Sequence, residues 1–436
     1  MLQTVHWSAL DADGRRSALL RPRLESQSDV DALARSIIRE VRKDGDAALL
    51  RFAERFDRAR LQSVQVTPAE FDAAEGKLNT KQIAAIETAI DNVRRFHAAQ
   101  LGTPIDMEVM PGVRCERIFR PIPAVGLYVP AGSAPLPSTV IMVAVPAALA
   151  GCPERLLCTP PAADGTANAA VLVAARRCGV TQVFKAGGAQ AIAAMAYGTA
   201  SIAKVDKIYG PGTALTTAAK QIVAADPQGA ACDLPAGPSE VLVIADGNAN
   251  AAFVAADLLA QAEHDVRSQA LLVTDSAALA AAVAIEFERQ RGTLSRQHIL
   301  KESSANCRII LVPDLSTALA VSNEYAPEHL IVQTAQPRAL LDGVLNAGSV
   351  FLGAWSPESM GDYCSGTNHV LPTYGYARAY SGLSLNDFQK RMTVQELTAD
   401  GIRRLGPVAE TLASMEGLDA HERAVTIRLQ ALGGAA

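Results

Sequence analysis

Hydrophobic positions recur at helical spacing in the first quarter of the chain. Leu33, Ile37 and Val41 lie three or four residues apart, and this stripe stops at Asp44–Gly45, as amphipathic helices do. A second stripe runs to His97. The spacing predicts two long helices, and it makes His97 a packed or half-exposed residue rather than a ligand.

Beyond residue 121 the pattern changes to short apolar runs that alternate with alanine-rich helical stretches. Such alternation predicts βαβ units, which pack as doubly wound parallel sheets. Pro–Gly segments near 130–132 and 235–238 divide the series in two. We predict an α/β fold of two tandem, incomplete Rossmann-like units with helical N-terminal and C-terminal extensions. The predicted strands are 124–129, 155–158, 182–185, 204–209, 240–245, 270–274, 308–312, 330–333 and 349–352.

Length and composition narrow the class of protein. The 436 residues are enough for two or three domains, and a net charge of −5 gives no basic surface for nucleic acid. The most apolar stretch, 140–150, is too short to cross a membrane and contains Pro146. The N-terminus has no secretory signal pattern. Seven cysteines without a C-x-x-C pair indicate free thiols. We expect a cytoplasmic protein that binds neither nucleic acid nor membrane.

Three glycine turns follow predicted strands of the first unit. They are Tyr128–Ser133, Ala186–Gln190 and Tyr209–Thr213. A turn that leads into a helix offers free backbone N–H groups to a phosphate. None of the three is G-x-G-x-x-G or a P-loop, so each is equally compatible with a structural bend. A dinucleotide here would be held in an atypical arrangement.

Nitrogen and oxygen ligands are spaced as in a metal site. Gln261 and His264 are three residues apart on a helical pattern, so both side chains emerge from one face. Asp362 lies in what we predict to be a Gly-rich loop, and His421 lies just inside a helix start, where Asp419–Glu422 also fits simple capping. A set without thiolates fits zinc, and manganese is not excluded.

The pair Glu328–His329 is the strongest acid–base candidate. It follows Pro327 and leads directly into the apolar run 330–332. Histidine exchanges protons near neutral pH, and sites of α/β proteins lie at strand ends. A solvated pair at the entry of a strand is the simpler alternative.

Four ordered motifs together resemble histidinol dehydrogenases over nearly the whole chain. They are Gly126–Pro130, Asp233–Glu240, Ala326–Leu330 and Gly361–His369. The resemblance implies a zinc-dependent homodimer that oxidises L-histidinol to L-histidine through histidinaldehyde. Two NAD molecules would be reduced in succession at one site, in the last step of histidine biosynthesis.

The resemblance also implies roles for individual residues. Gln261, His264 and Asp362 would hold one zinc ion within a subunit, and His421 would reach it from the partner across a shared active site. His329 would act as the general base, and Glu328 would activate the water that adds to the aldehyde. The implied substrate contacts are Ser239, Gln261, His264, His329, Asp362, His369, Glu416 and His421.

Tyr128, Gln190 and Thr213 match the cofactor contacts of the family. The family usually has asparagine where this chain has Thr213, and glycine where it has Ala131. The detailed grip on NAD therefore departs from the family pattern.

The sequence pattern and the resemblance together predict how the chain is divided into domains. We expect an N-terminal helical extension at 1–25 and a first α/β domain, with most catalytic and metal residues, at 26–129 and 239–381. A second α/β domain on the cofactor side would occupy 130–238, and a C-terminal helical extension exchanged within the dimer would occupy 382–436.

Two other functions use the same residues. A zinc hydrolase could employ Glu328 to activate water, although the chain lacks H-E-x-x-H. A ligand-binding protein could retain the fold without catalysis.

Overall fold

Two parallel sheets and one antiparallel sheet organise the chain. The computed structural model describes residues 2–22, 27–131, 135–235 and 237–433. The strands are β1 Gln3–His6, β2 Ile105–Met110, β3 Val113–Pro121, β4 Ala124–Tyr128, β5 Glu154–Thr159, β6 Gln182–Lys185, β7 Lys207–Tyr209, β8 Ala231–Cys232, β9 Glu240–Ala245, β10 Gln269–Thr274, β11 Arg308–Leu311, β12 His329–Gln333, β13 Ser349–Leu352 and β14 Gln389–Leu397.

Helices connect and cover these strands. They are α1 Ala12–Ala18, α2 Gln27–Asp44, α3 Asp46–Phe52, α4 Pro68–Glu75, α5 Thr80–Ala98, α6 Pro137–Leu149, α7 Ala169–Arg177, α8 Gly188–Tyr197, α9 Ala214–Ala225, α10 Ala251–Ala262, α11 Ala277–Arg291, α12 Gln297–Ser303, α13 Leu315–Tyr325, α14 Glu358–Tyr363, α15 Ala399–Met415 and α16 Asp419–Gly433.

The first parallel sheet has five strands in the order β6-β5-β4-β7-β8. Its two faces are covered by different helices. Val125 and Leu127 of β4 pack with α5, α6 and α7, whereas Tyr128 packs with α2, α8 and α9 on the other face. Burial on both faces explains why the strand sequences are continuous apolar runs.

The second parallel sheet has six strands in the order β1-β11-β10-β9-β12-β13. All residues of β9, β10 and β12 are buried. Helices α10 and α11 cover one face, and α13 covers the other. The central strands are therefore surrounded by protein, and the chemistry of this unit is confined to the strand ends.

A C-terminal arm completes the molecule. β14 pairs antiparallel with β3, which also pairs with β2, and α15 and α16 follow. The turn between β2 and β3 contacts the start of α15, where Thr398 donates its backbone N–H to the carbonyl of Gly112 at 2.9 Å. No residue of α16 within the described chain is buried. The arm therefore presents a large accessible face.

The predicted fold class is confirmed, and the nine predicted strands all have counterparts within one to three residues at their ends. His97 is buried, as predicted. Both chain ends are helical as expected, but each also contributes a strand, β1 and β14. Among the described residues no helix is long and apolar enough to cross a membrane.

We expected residues 26–129 to belong with the second sheet, but the helices of this region pack on the five-stranded sheet. Ile37 of α2 and Ile90 of α5 lie in the two cores of the five-stranded sheet, and β4 is a strand of that sheet. The apolar stripes fix which faces are buried, but spacing along the chain does not say against which sheet they pack.

Candidate active site and metal centre

The candidate site lies at the amino ends of β9 and β12. These neighbouring parallel strands pair with His329 opposite Val241. Helix α10 follows β9 and returns along the sheet, so its last turn, with Gln261, comes back to the same edge. The sequence predicted a site at the end of a strand, and this site does lie at strand ends. It differs from most sites of open α/β sheets, which lie at the carboxyl ends. Here the first residues of the strands carry the chemistry.

His329 is buried and faces several polar groups. Its Nδ1 lies 3.2 Å from the carbonyl oxygen of Glu240 and 3.0 Å from the side-chain amide of Gln261. Its Nε2 lies 3.5 Å from Asp362 Oδ1 and has no hydrogen-bond partner among the described residues. One ring nitrogen is thus held by the protein, and the other is left for chemistry.

Carboxylates decide the protonation of this imidazole. Burial alone would lower the pKa of His329, but Glu328, Glu358 and Asp362 together raise its pKa well above the usual value. Glu328 Oε2 lies 3.6 Å from Nδ1, and Glu358 Oε2 lies 3.9 Å away. The arrangement stabilises an imidazolium, which is the form that a histidine base takes after it accepts a proton.

Glu328 is buried beside His329 and is anchored by one hydrogen bond. Its Oε2 accepts the backbone N–H of Glu240 at 2.9 Å. Burial raises the pKa of Glu328 to about 8, although His329 and this N–H act against the shift. The carboxyl group can therefore exchange a proton near neutral pH.

Three side chains bring possible metal ligands together. Ligand atoms of His264, Glu358 and Asp362 all lie within 4.8 Å of one another. Gln261 is fully buried and contacts His329 at the same place. Burial favours the neutral form of Asp362, but the neighbouring His329, with His369 and His264, lowers the pKa of Asp362. The group therefore offers an anionic oxygen next to imidazole nitrogen.

The sequence reading missed Glu358 and misplaced Asp362. Asp362 lies on the short helix α14 rather than in a Gly-rich loop, and Glu358 begins the same helix. The four-residue spacing puts both carboxylates on one face. A prediction of helix for residues 358–362 would have placed Glu358 and Asp362 on the same face. His264 also differs slightly, because it lies just beyond the C-cap of α10, where its N–H donates to the carbonyl of Gln261 at 3.2 Å.

Other predicted substrate contacts divide into two groups. His369 Nδ1 lies 2.7 Å from the carbonyl oxygen of Asp362, and its Nε2 lies 3.2 Å from Thr139 Oγ1. Ser239 directly precedes the strand that carries Glu240. His421 and Glu416, in contrast, lie on the exposed surface of the arm. The single chain therefore brings most of the predicted set together, but it leaves those two on the arm.

A buried ion pair between Arg21 and Glu240 lies next to the site. Arg21 binds both carboxylate oxygens of Glu240, at 2.6 and 2.8 Å, and its guanidinium stacks 3.9 Å from the Tyr325 ring. The Tyr325 hydroxyl bonds Glu240 at 3.1 Å and Gln269 at 2.8 Å. Because the backbone of Glu240 contacts both Glu328 and His329, this network fixes the geometry of the acid–base pair.

The glycine turns lie at the carboxyl ends of the five-stranded sheet. The Tyr128 hydroxyl accepts the N–H of Gly188 at 2.9 Å, at the start of α8, the helix that carries Gln190. Gly210 has φ +121°, and a Cβ there would overlap the carbonyl of Tyr128. Thr213 is the N-cap of α9, so its hydroxyl is already partly engaged. Gly132 and Ser133 of the first turn lie outside the described residues.

Comparisons with known proteins identify the relatives of this chain. The family model described as histidinol dehydrogenase matches residues 20–429. The chain is 53% identical to a histidinol dehydrogenase of Vibrio cholerae and covers 99% of both chains. It is 50% identical to one of Yersinia pestis, with 99% of this chain and 96% of the relative covered. A crystal structure of histidinol dehydrogenase from Elizabethkingia anophelis is 44% identical, with a TM-score of 0.95 and 99% of both chains covered.

Proposed function

The chain belongs to the histidinol dehydrogenase family and is an NAD-dependent oxidoreductase, and on that premise we propose the reaction that it catalyses. It oxidises L-histidinol to histidinaldehyde and then to L-histidine, with two hydrides passed to two NAD molecules, as the last step of histidine biosynthesis. The observation that carries the proposal is the grouping of buried His329 and Glu328 with partly buried Asp362, beside Gln261 and His264.

The donor set fits a zinc ion. Imidazole and carboxylate atoms of His264 and Asp362 lie close enough to share one cation, and Gln261 offers a neutral oxygen. The buried Nε2 of His329 and Oε1 of Glu358 have no hydrogen-bond partner among the described residues. A nearby positive ion would offset the carboxylates. Gln261, His264, Asp362 and His421 of a second subunit would hold it, and bound zinc would anchor the imidazole and amine of the substrate.

His329 removes the proton of the substrate hydroxyl in the first oxidation. Its Nε2 makes no hydrogen bond within the described part of the chain, whereas Nδ1 faces the Glu240 carbonyl. A cation beside these carboxylates would offset their charge and leave His329 neutral before the reaction, so that Nε2 can accept the hydroxyl proton. Bound NAD would accept the hydride from the carbon that carries this hydroxyl. Fixed orientation of the reacting groups supplies much of the rate.

Glu328 serves the second oxidation. Water adds to the aldehyde carbon as Glu328 takes one of its protons, and the hydrated aldehyde then loses hydride to the second NAD to give the carboxylic acid. A pKa of about 8 suits a carboxylate that must accept and return a proton near neutral pH. Ser239, His369 and Glu416 complete the substrate contacts in this proposal.

NAD would bind at the carboxyl edge of the five-stranded sheet. The Gly210 turn leaves room for close backbone approach, and the starts of α8 and α9 present N–H groups at that edge. Tyr128, Gln190 and Thr213 would contact the nucleotide, which supplies the hydride acceptor. Because Thr213 also caps α9, its hydroxyl can offer only part of its hydrogen-bonding capacity to a ligand.

We propose a homodimer whose C-terminal arm reaches the site of the other subunit. On the arm, Val408, Leu412 and Met415 are 52%, 54% and 78% exposed, which is a large apolar surface for a free chain. His421 lies on the same arm.

The cysteines are all free, which supports a reducing compartment such as the cytoplasm.

The test is a stoichiometric assay with histidinol and NAD. We expect two NADH and one histidine for each histidinol consumed, and we expect His329→Asn to lose at least about a hundredfold in kcat. His6→Asn is the control, because His6 is exposed at the carboxyl end of the edge strand β1, whereas the site lies at the amino ends of β9 and β12. One NADH per substrate would contradict the second oxidation, and hydrolysis without NADH would favour the zinc hydrolase alternative.

A further inference from the structure

The side-chain amide of Gln261 is surrounded by acceptors on one side. The end of this amide that faces His329 Nδ1 at 3.0 Å also lies 3.1 Å from the carbonyl oxygen of Glu240 and 3.3 Å from Glu358 Oε2. An amide nitrogen at this end can donate its two hydrogens to the Glu240 carbonyl and to Glu358 Oε2. An amide oxygen there would face two oxygen acceptors instead.

The orientation of this amide decides whether Gln261 can bind a metal ion. The nitrogen of a carboxamide has no free lone pair for a cation, whereas the oxygen has two. His329, Glu240 and Glu358 enclose one end of the amide, so a cation would reach Gln261 at the other end. Gln261 is therefore a ligand only if that other end carries the oxygen.

Glu358 supplies the side-chain member of this set of acceptors. It is 1% exposed, and it begins the same helix that carries Asp362. Its Oε2 lies 3.3 Å from this end of the amide, so it can accept one of the amide hydrogens and hold the nitrogen there. The Glu240 carbonyl cannot be removed by substitution, which leaves Glu358 as the side chain that can be tested.

We propose that Glu358 is a positioning residue of the metal site, which binds the amide nitrogen of Gln261 and thereby turns its oxygen toward the cation. The inference rests on the proposed function, because it assigns Gln261 as a zinc ligand. It differs from a role for Glu358 as a ligand itself, which its closeness to His264 and Asp362 also allows.

The two roles separate in a double-mutant cycle on zinc affinity. Zinc dissociation constants are measured by competition with a chelator for the wild type, Glu358→Leu, Gln261→Ala and the double variant. We expect Glu358→Leu to weaken zinc binding roughly 10- to 100-fold, as for other outer groups that orient ligands. In the Gln261→Ala background the same change should cost less than about threefold, because the amide that it orients is absent.

Conservative and matched variants sharpen the test. Glu358→Gln keeps an acceptor for the amide nitrogen, so it should bind zinc more tightly than Glu358→Leu. Glu263→Leu removes a carboxylate two residues from Gln261 and should leave the affinity within about threefold of the wild type. Thermal unfolding of each zinc-free variant checks that it is folded.

Three results would overturn the inference. They are equal zinc affinity in the wild type and Glu358→Leu, the same loss in both backgrounds, and a crystal structure of the zinc-loaded wild type with a Glu358 oxygen about 2.0–2.2 Å from the ion. The crystal structure decides the question even if Glu358→Leu does not fold. A wild-type protein that binds no zinc would instead contradict the zinc assignment of the proposed function.

Discussion

Asp57 carries a carboxylate oxygen that is buried without a hydrogen-bond partner among the described residues. Burial raises the pKa of Asp57 to about 6. In the unfolded chain an aspartate releases its proton at about pH 4. Between these two values the folded state keeps a proton that the unfolded state has lost, so the stability contributed by this residue falls as pH rises.

Asp57→Asn should therefore change the pH dependence of stability. Relative to the wild type, we expect the free energy of unfolding of the variant to increase by about 1 to 3 kcal/mol between pH 4 and pH 7. The measurement is urea unfolding at several pH values. Glu302→Gln, at an exposed position, is the control. Parallel pH profiles for Asp57→Asn and the wild type would contradict the prediction.

At the scale of residues, the spacing of side chains along the chain predicted part of the candidate site. Gln261 and His264 were found because they are three positions apart on a helical pattern, and the structure places Gln261 in the last turn of α10 and His264 just beyond its C-cap. Glu358 was missed because a segment with Gly361 reads as a loop, whereas the structure makes it a turn of helix. The burial that makes Glu358 important comes from distant segments, and no local pattern records it.

At the scale of elements, the arm depends on two glycines. Gly112 has φ +80° in the turn between β2 and β3, and a Cβ on Gly401 would overlap its carbonyl group. The start of α15 can therefore lie against this turn only if residue 401 has no side chain.

Gly401→Ala should separate these two elements. We expect the free energy of unfolding to fall by about 1 to 3 kcal/mol, since the backbone must move to relieve the overlap. Thermal and urea unfolding measure the change. Gly433→Ala, on the same arm with no atom near the added Cβ, is the matched control. Equal stability of the two variants would show that the contact is not restrictive.

Hydrophobic runs predicted the buried strands and missed the exposed ones. β9 and β12 are covered on both faces and read as unbroken apolar runs. β2 and β14 are mostly exposed and mixed in composition, so they give no such signal. The edge of the sheet that carries the site was also beyond local patterns, because it depends on how loops from several segments converge.

At the scale of the whole molecule, the proposed site is complete only in a dimer. The single chain holds Gln261, His264 and Asp362 together, while His421 is exposed on the arm. Spacing along the chain could not assign His421 to a second subunit, and that expectation came from the family resemblance alone. It is testable because each half of the site can be inactivated separately.

Mixing two inactive variants should restore activity. Gln261→Ala damages the body of its own site, and His421→Ala damages the arm that serves the other. After unfolding and refolding together, about half of the dimers are mixed and each has one intact site, so we expect about a quarter of the wild-type activity. Each variant refolded alone is the control. Proven mixed dimers without activity would contradict a shared site.

The crowding of carboxylates around His329 has a thermodynamic consequence. Glu328, Glu358 and Asp362 are folded into one place around a single imidazole, and their mutual repulsion disfavours the native state. A cation that binds only the folded protein reduces this repulsion. Once its free concentration exceeds its dissociation constant, each further tenfold increase in concentration adds about 1.4 kcal/mol to the free energy of unfolding. Metal supply would then govern how long the protein survives as well as how fast it works.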